Sequence, residues 1–112
     1  ILTSKKFLPT KPFLKLLRQN KPTTPILLVE QIDYPFARFV SSMDEKIKLV
    51  NQHFNKAYTT FKKDGDKNIY YLPSKGLIGE DGEGTVDGVH LTDLGFYRMA
   101  NAIKKKLQTI LK

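Results

Sequence analysis

Pro25-Ile26-Leu27-Leu28-Val29-Glu30 holds four consecutive apolar residues between a proline and a glutamate. The run is too short for a helix and does not alternate, which is the pattern of a strand covered on both faces, as in a parallel sheet. Ile69-Tyr70-Tyr71-Leu72 is a second run of the same kind further along the chain. Between the two, Ser42 and Glu45 form a capping box, and behind it Ile47, Val50, Phe54, Ala57, Tyr58 and Phe61 recur at helical spacing. Lys62, Lys63, Asp64, Gly65 and Asp66 supply the stop signals of that helix. A buried strand, a crossover helix and a second strand make an α/β unit with parallel strands.

Upstream of this unit, Thr10, Lys11 and Pro12 open a short helix with Phe13, Leu14, Leu16 and Leu17 on its apolar face, ending near Asn20. Glu30 to Val40 contains Pro35 and reads as a loop leaving the carboxyl end of the first strand. Its aromatics, Tyr34, Phe36 and Phe39, can line a substrate groove there or pack beneath the loop. Downstream, Pro73 begins a glycine-rich loop of roughly twenty residues, too long for a plain connector in a compact domain, so it is expected at or near a site. Thr92 can cap the last helix, with Asp93 favourably placed against the helix dipole. Phe96, Met99, Ala100, Ile103, Leu107, Ile110 and Leu111 form its predicted buried face.

At 112 residues, with 40% hydrophobic content, the chain is one small domain at most and has the apolar material for a core. No stretch approaches the roughly 20 apolar residues of a membrane span. The absence of cysteine excludes a disulfide framework, a thiolate zinc site and a thiol nucleophile, and leaves the compartment open. The chain opens on Ile1 with neither an initiator Met nor a signal segment, and reads as a piece of a longer protein. The net charge of +8 comes from lysines spread over the chain, whereas Glu80, Asp81, Glu83, Asp87 and Asp93 lie close together. No recognition helix, zinc finger or RNA-binding motif accompanies the bases, so no specific nucleic-acid partner is expected.

Two histidines occur. His53 sits beside the apolar stripe of the capping-box helix and is expected at its flank. His90 lies in the glycine-rich loop, three residues after Asp87. A carboxylate at that spacing on a turn can accept the Nδ1 proton of the imidazole and leave Nε2 to take a proton from a nucleophile. Gly95, near the start of the last helix, fits either a close approach of that helix to the loop holding His90 or ordinary fraying.

The string Asp87-Gly88-Val89-His90-Leu91-Thr92-Asp93-Leu94-Gly95-Phe96, followed by an amphipathic terminal helix, resembles the C-terminal catalytic block of the SGNH or GDSL-like esterase family. The resemblance implies the C-terminal half of a flavodoxin-like, three-layer α/β fold with parallel strands. It makes Asp87 the orienting acid and His90 the general base of a serine esterase acting on O-acyl esters, with acetylated carbohydrate first among the expected substrates and lipid or thioester second. No metal or cofactor is implied, and the resemblance is consistent with a secreted or periplasmic parent. Ser4, Ser41, Ser42 and Ser74 are the serines present; none stands in a Gly-Asp-Ser string, and no Gly-x-Asn-Asp occurs. The nucleophile and oxyanion donors are therefore expected outside this chain, which alone would be inactive and would pair with the N-terminal half of its parent or with itself. The competing reading is a noncatalytic α/β module whose basic face binds an acidic partner.

Overall fold

The computed structural model describes residues 10–32 and 41–111. Helix α1 spans Thr10–Asn20, strand β1 Ile26–Val29, helix α2 Ser41–Lys63, strand β2 Ile69–Leu72 and helix α3 Asp93–Ile110. The two strands pair in parallel, Ile26 opposite Ile69 through Val29 opposite Leu72, with α2 as the crossover. Both strands therefore present their carboxyl ends, Val29 and Leu72, to the same side, where the loop carrying His90 begins.

Alternation along the strands decides which face is covered. Ile26, Leu28 and Ile69 are buried, together with Leu14 of α1 and Ala57 of α2, in one cluster against which Leu17, Tyr58, Phe61 and Tyr71 pack. Leu27, Val29, Tyr70 and Leu72 point the other way and stay half-exposed. The expectation of a strand covered on both faces thus holds for one face of the described sheet. Leu14 and Ile69, the largest fully buried side chains, each contribute roughly 2–3 kcal/mol by leaving water.

Helix ends follow from local chemistry. In the last turn of α1 Asn20 donates from Nδ2 to the Leu16 carbonyl, 2.9 Å, and the Lys21 N–H satisfies the Leu17 carbonyl at 2.9 Å. At the end of α2, Gly65 N–H reaches the Lys62 carbonyl and Asp66 N–H the Phe61 carbonyl, the paired bonds of a Schellman motif. Helix α2 begins at Ser41, a residue or two ahead of the start a Ser42 cap would give, within the usual latitude of helix boundaries.

The amino ends of both strands are tied by Arg18. Its guanidinium donates to Asp66 Oδ2 (2.8 Å) and Oδ1 (3.2 Å) and to the carbonyls of Lys21, Thr24 and Asn68. Partial burial works against the charge on Asp66, but the Arg18 bond, the Asn68 N–H and the Arg18 charge outweigh it and hold the carboxyl below its ordinary value.

The apolar face of α3 departs from expectation. Gly95 is the buried residue of that helix, while Phe96 is 59% exposed and Leu111 65% exposed. An amphipathic pattern shows which face prefers cover; it does not place the covering surface within the described residues.

Candidate active site

Between β2 and α3 the chain first fastens to the carboxyl end of β1, where the Ser74 N–H donates to Glu30 Oε1 at 2.8 Å. The second Glu30 oxygen accepts the Tyr71 hydroxyl. Burial first, and then the Glu30 carboxylate, push the Tyr71 phenol up from its ordinary value. The loop next buries Leu77 and Ile78 and turns into a small hairpin in which Thr85 pairs antiparallel with Leu91. The Val86 N–H donates to the His90 carbonyl at 2.8 Å and the Thr92 N–H to the Gly84 carbonyl at 3.0 Å.

Asp87 and His90 sit at the tip of that hairpin. Asp87 Oδ1 accepts the backbone N–H groups of Val89 (2.9 Å) and His90 (2.7 Å), while Oδ2 lies 2.7 Å from His90 Nδ1. The His90 backbone N–H, then its ring, then the Val89 N–H hold the Asp87 carboxyl well below the usual carboxylate range. An ionised carboxylate on Nδ1 selects the tautomer protonated there and leaves the Nε2 lone pair free. Among the described residues Nε2 has no hydrogen-bond partner, and the imidazole is 80% exposed against 53% for the Asp87 side chain. The sequence-predicted pair is therefore brought together in the geometry of a base and its orienting acid.

The hairpin rests on the first turns of α3. Thr92 Oγ1 accepts the Gly95 N–H at 3.0 Å and donates to the Glu83 carbonyl at 2.8 Å. A Cβ at Gly95 would stand 2.1 Å from the Gly84 carbonyl oxygen, so close approach and not fraying explains this glycine. Arg98 places Nη1 and Nη2 each 2.7 Å from an oxygen of Asp81, and Nη1 also donates to the Ile78 carbonyl at 3.0 Å. That contact, followed by the Glu83 N–H, holds the Asp81 carboxyl far below its ordinary value. Sequence reasoning missed the Arg98–Asp81 pair, whose partners are 17 residues apart. The usable signal was the three-residue recurrence of Thr92, Gly95 and Arg98, which puts all three on one side of α3.

Beside Glu30 opens a cleft of about 570 Å³, lined by Asp44, Lys48, Asn51, Asn55 and Ser74 among others. Neither Asp87 nor His90 lines it. Asn51 is tied to the backbone of Gln31 by bonds of 2.8 and 3.1 Å. Tyr34, Phe36 and Phe39, the candidate groove aromatics, lie outside the described residues, as do Ser4 and the side chain of Ser41. Ser42 is exposed, Ser74 half-buried, and neither is hydrogen-bonded to His90. His53 is half-buried on α2, in keeping with a flank position.

Residues 5–108 match the GDSL-like lipase/acylhydrolase family. The chain belongs to this family. A GDSL-family match among solved structures, a protein from Bacteroides ovatus named as a GDSL-like lipase, superposes with a TM-score of 0.80 at 34% identity, over 88% of this chain and 29% of that one. The salicylyl-acyltransferase SsfX3 of a tetracycline biosynthetic pathway superposes with a TM-score of 0.71 over 92% of this chain and 32% of that one, and at 21% identity it speaks for the fold. This GDSL-family chain thus spans about a third of the length of those two structures. A search of curated proteins finds no match. The parallel α/β arrangement is that of the SGNH fold. No helix among the described residues is long and apolar enough to cross a membrane.

Proposed function

We propose that these residues are the C-terminal portion of a serine ester hydrolase and supply its acid and base, His90 as general base and Asp87 as the orienting carboxylate. The observation that carries this reading is the 2.7 Å contact of Asp87 Oδ2 with His90 Nδ1 beside an open, exposed Nε2. In the reaction, His90 Nε2 takes the proton of a serine hydroxyl supplied by another part of the protein as that oxygen attacks the acyl carbonyl. The tetrahedral intermediate then expels the alcohol, which receives the proton from His90. A water, deprotonated by the same nitrogen, attacks the acyl-enzyme, and as the serine oxygen is expelled His90 returns that proton to it and the acid is released. Asp87 stays ionised throughout and stabilises the imidazolium. Nothing in these steps calls for a metal or cofactor.

Membership of an acylhydrolase family supports O-acyl esters as the substrate class. Among such esters an acetylated carbohydrate stands first in this reading. The half-exposed second sheet face and the exposed apolar face of α3 fit cover by the remainder of the protein or by a second copy. In the intact protein, His90→Ala should abolish hydrolysis of a nitrophenyl acetate, a loss on the order of 10⁴-fold or more. Unchanged turnover would overturn the assignment.

A further inference from the structure

The Asp87–His90 hairpin has no strand or helix of its own, and among the described residues its support comes from one side of α3. Thr92 holds the Glu83 and Gly84 carbonyls, Gly95 lets the helix touch Gly84, and Arg98 grips the loop that feeds the hairpin. Of these contacts Arg98 alone is ionic and forked. It spends two nitrogens on Asp81 and one of them again on the Ile78 carbonyl. The loop is shaped to admit it, since a Cβ at Gly79 would lie 2.2 Å from Arg98 Nη1. Asp81 passes the constraint on, because Oδ1 also accepts the Glu83 N–H at 3.0 Å, and Glu83 is the residue whose carbonyl Thr92 holds.

We infer that Arg98 is a positioning residue for the catalytic base: through Asp81 and Ile78 it fixes the loop from which the Asp87–His90 hairpin projects. The inference rests on the reading of His90 as base. An exposed ion pair contributes little to global stability. Its geometric effect can still be large, because a displacement of about 1 Å at a catalytic group is worth as much as 10²-fold in rate. A lysine at this position has a single point charge in place of the planar fork and cannot reach both Asp81 oxygens and the Ile78 carbonyl together.

The test compares Arg98→Ala, Arg98→Lys, Asp81→Asn and the Arg98→Ala/Asp81→Asn double variant in the intact protein, with kcat and KM on a nitrophenyl acetate and Tm for each. The expected result is a fall in kcat of about 10- to 100-fold for Arg98→Ala with KM within about twofold and Tm nearly unchanged. Asp81→Asn should fall by a similar factor, the double variant no further than the worse single one, and Arg98→Lys should lie between. His90→Ala runs alongside. If it is inactive while Arg98→Ala and Asp81→Asn keep full kcat, the positioning role is overturned and the base assignment stands. If His90→Ala is active, the base assignment itself falls. Loss of kcat in proportion to lost folded protein would also overturn positioning, and the isosteric Asp81→Asn variant decides the matter should Arg98→Ala fail to fold.

Discussion

Two pairs of an aspartate with a basic side chain flank the same two strands, Arg18–Asp66 at their amino ends and His90–Asp87 on the loop that leaves the carboxyl end of β2, and they are built to opposite specifications. At the amino ends, the Arg18 and Asp66 side chains are 16% and 13% exposed, and the guanidinium is spent on Asp66 and three backbone carbonyls. On the carboxyl side, His90 and Asp87 are 80% and 53% exposed, and one ring nitrogen is left without a partner. Both carboxyls are held below their ordinary value, Asp66 against the opposing effect of burial and Asp87 chiefly by the His90 backbone N–H. A depressed carboxylate pKa therefore does not distinguish a staple from a catalytic acid. What distinguishes them is the basic partner: all five N–H groups of the Arg18 guanidinium are spent, whereas the His90 ring keeps an unspent lone pair facing solvent.

The same substitution at both ends would sharpen that contrast most. Asp87→Asn should lower kcat by up to about 10⁴-fold, since an amide can hold the wrong tautomer, while leaving Tm almost unchanged at so exposed a site. Asp66→Asn should leave kcat intact and cost roughly 2–4 kcal/mol of stability in urea titration, because it strands a guanidinium that is mostly out of water. A reversal of these effects, with activity lost at Asp66 and stability lost at Asp87, would break the comparison.

How far each end could be read from sequence follows from the range of its contacts. Both strands were legible to the residue, since four apolar residues between turn signals have few other readings. The Asp87–His90 pair was legible because His90 follows Asp87 by three positions and a turn closes that gap by itself. Arg18–Asp66, 48 residues apart, and Arg98–Asp81 are pairings that only the fold creates; the recurrence of Thr92, Gly95 and Arg98 marks one side of α3 but does not name Asp81 as the partner. The buried face of α3 was misread for a different reason. Ile103, Leu107 and Leu111 do repeat at helical spacing, yet with Ala100 they line an open groove, because periodicity encodes a preference for cover and does not supply the covering surface.

Gly95→Ala tests the junction on which the proposed catalytic end rests, and here two principles predict opposite signs. Helix propensity alone favours alanine by up to about 1 kcal/mol. The 2.1 Å approach to the Gly84 carbonyl says that a methyl must push backbone aside, which costs about 1–3 kcal/mol. Steric cost should win. The variant is expected to melt lower than the parent and to lose kcat roughly tenfold as the hairpin shifts. A rise in Tm with unchanged kcat would show that α3 is free to move relative to the loop, and would weaken the case for a rigid platform under His90.

Acidification separates the two ends more gently, through the order in which they give way. Both aspartates have pKa values depressed in the folded state, so the stability each contributes is present above the unfolded carboxylate value near 4 and is lost only as pH falls through the lower folded one. Between pH 8 and 5 neither carboxylate takes up a proton. A base imidazole, by contrast, must be neutral to work. The acid limb of kcat/KM should therefore fall tenfold per pH unit, with the slope of a single ionisation, while urea stability stays flat over the same interval. A slope of two, or a second break near pH 4 to 5 in protein that is still folded, would mean that Asp87 titrates in the working range. Its carboxylate would then be held far less firmly than two backbone N–H groups and the ring at 2.7 Å require.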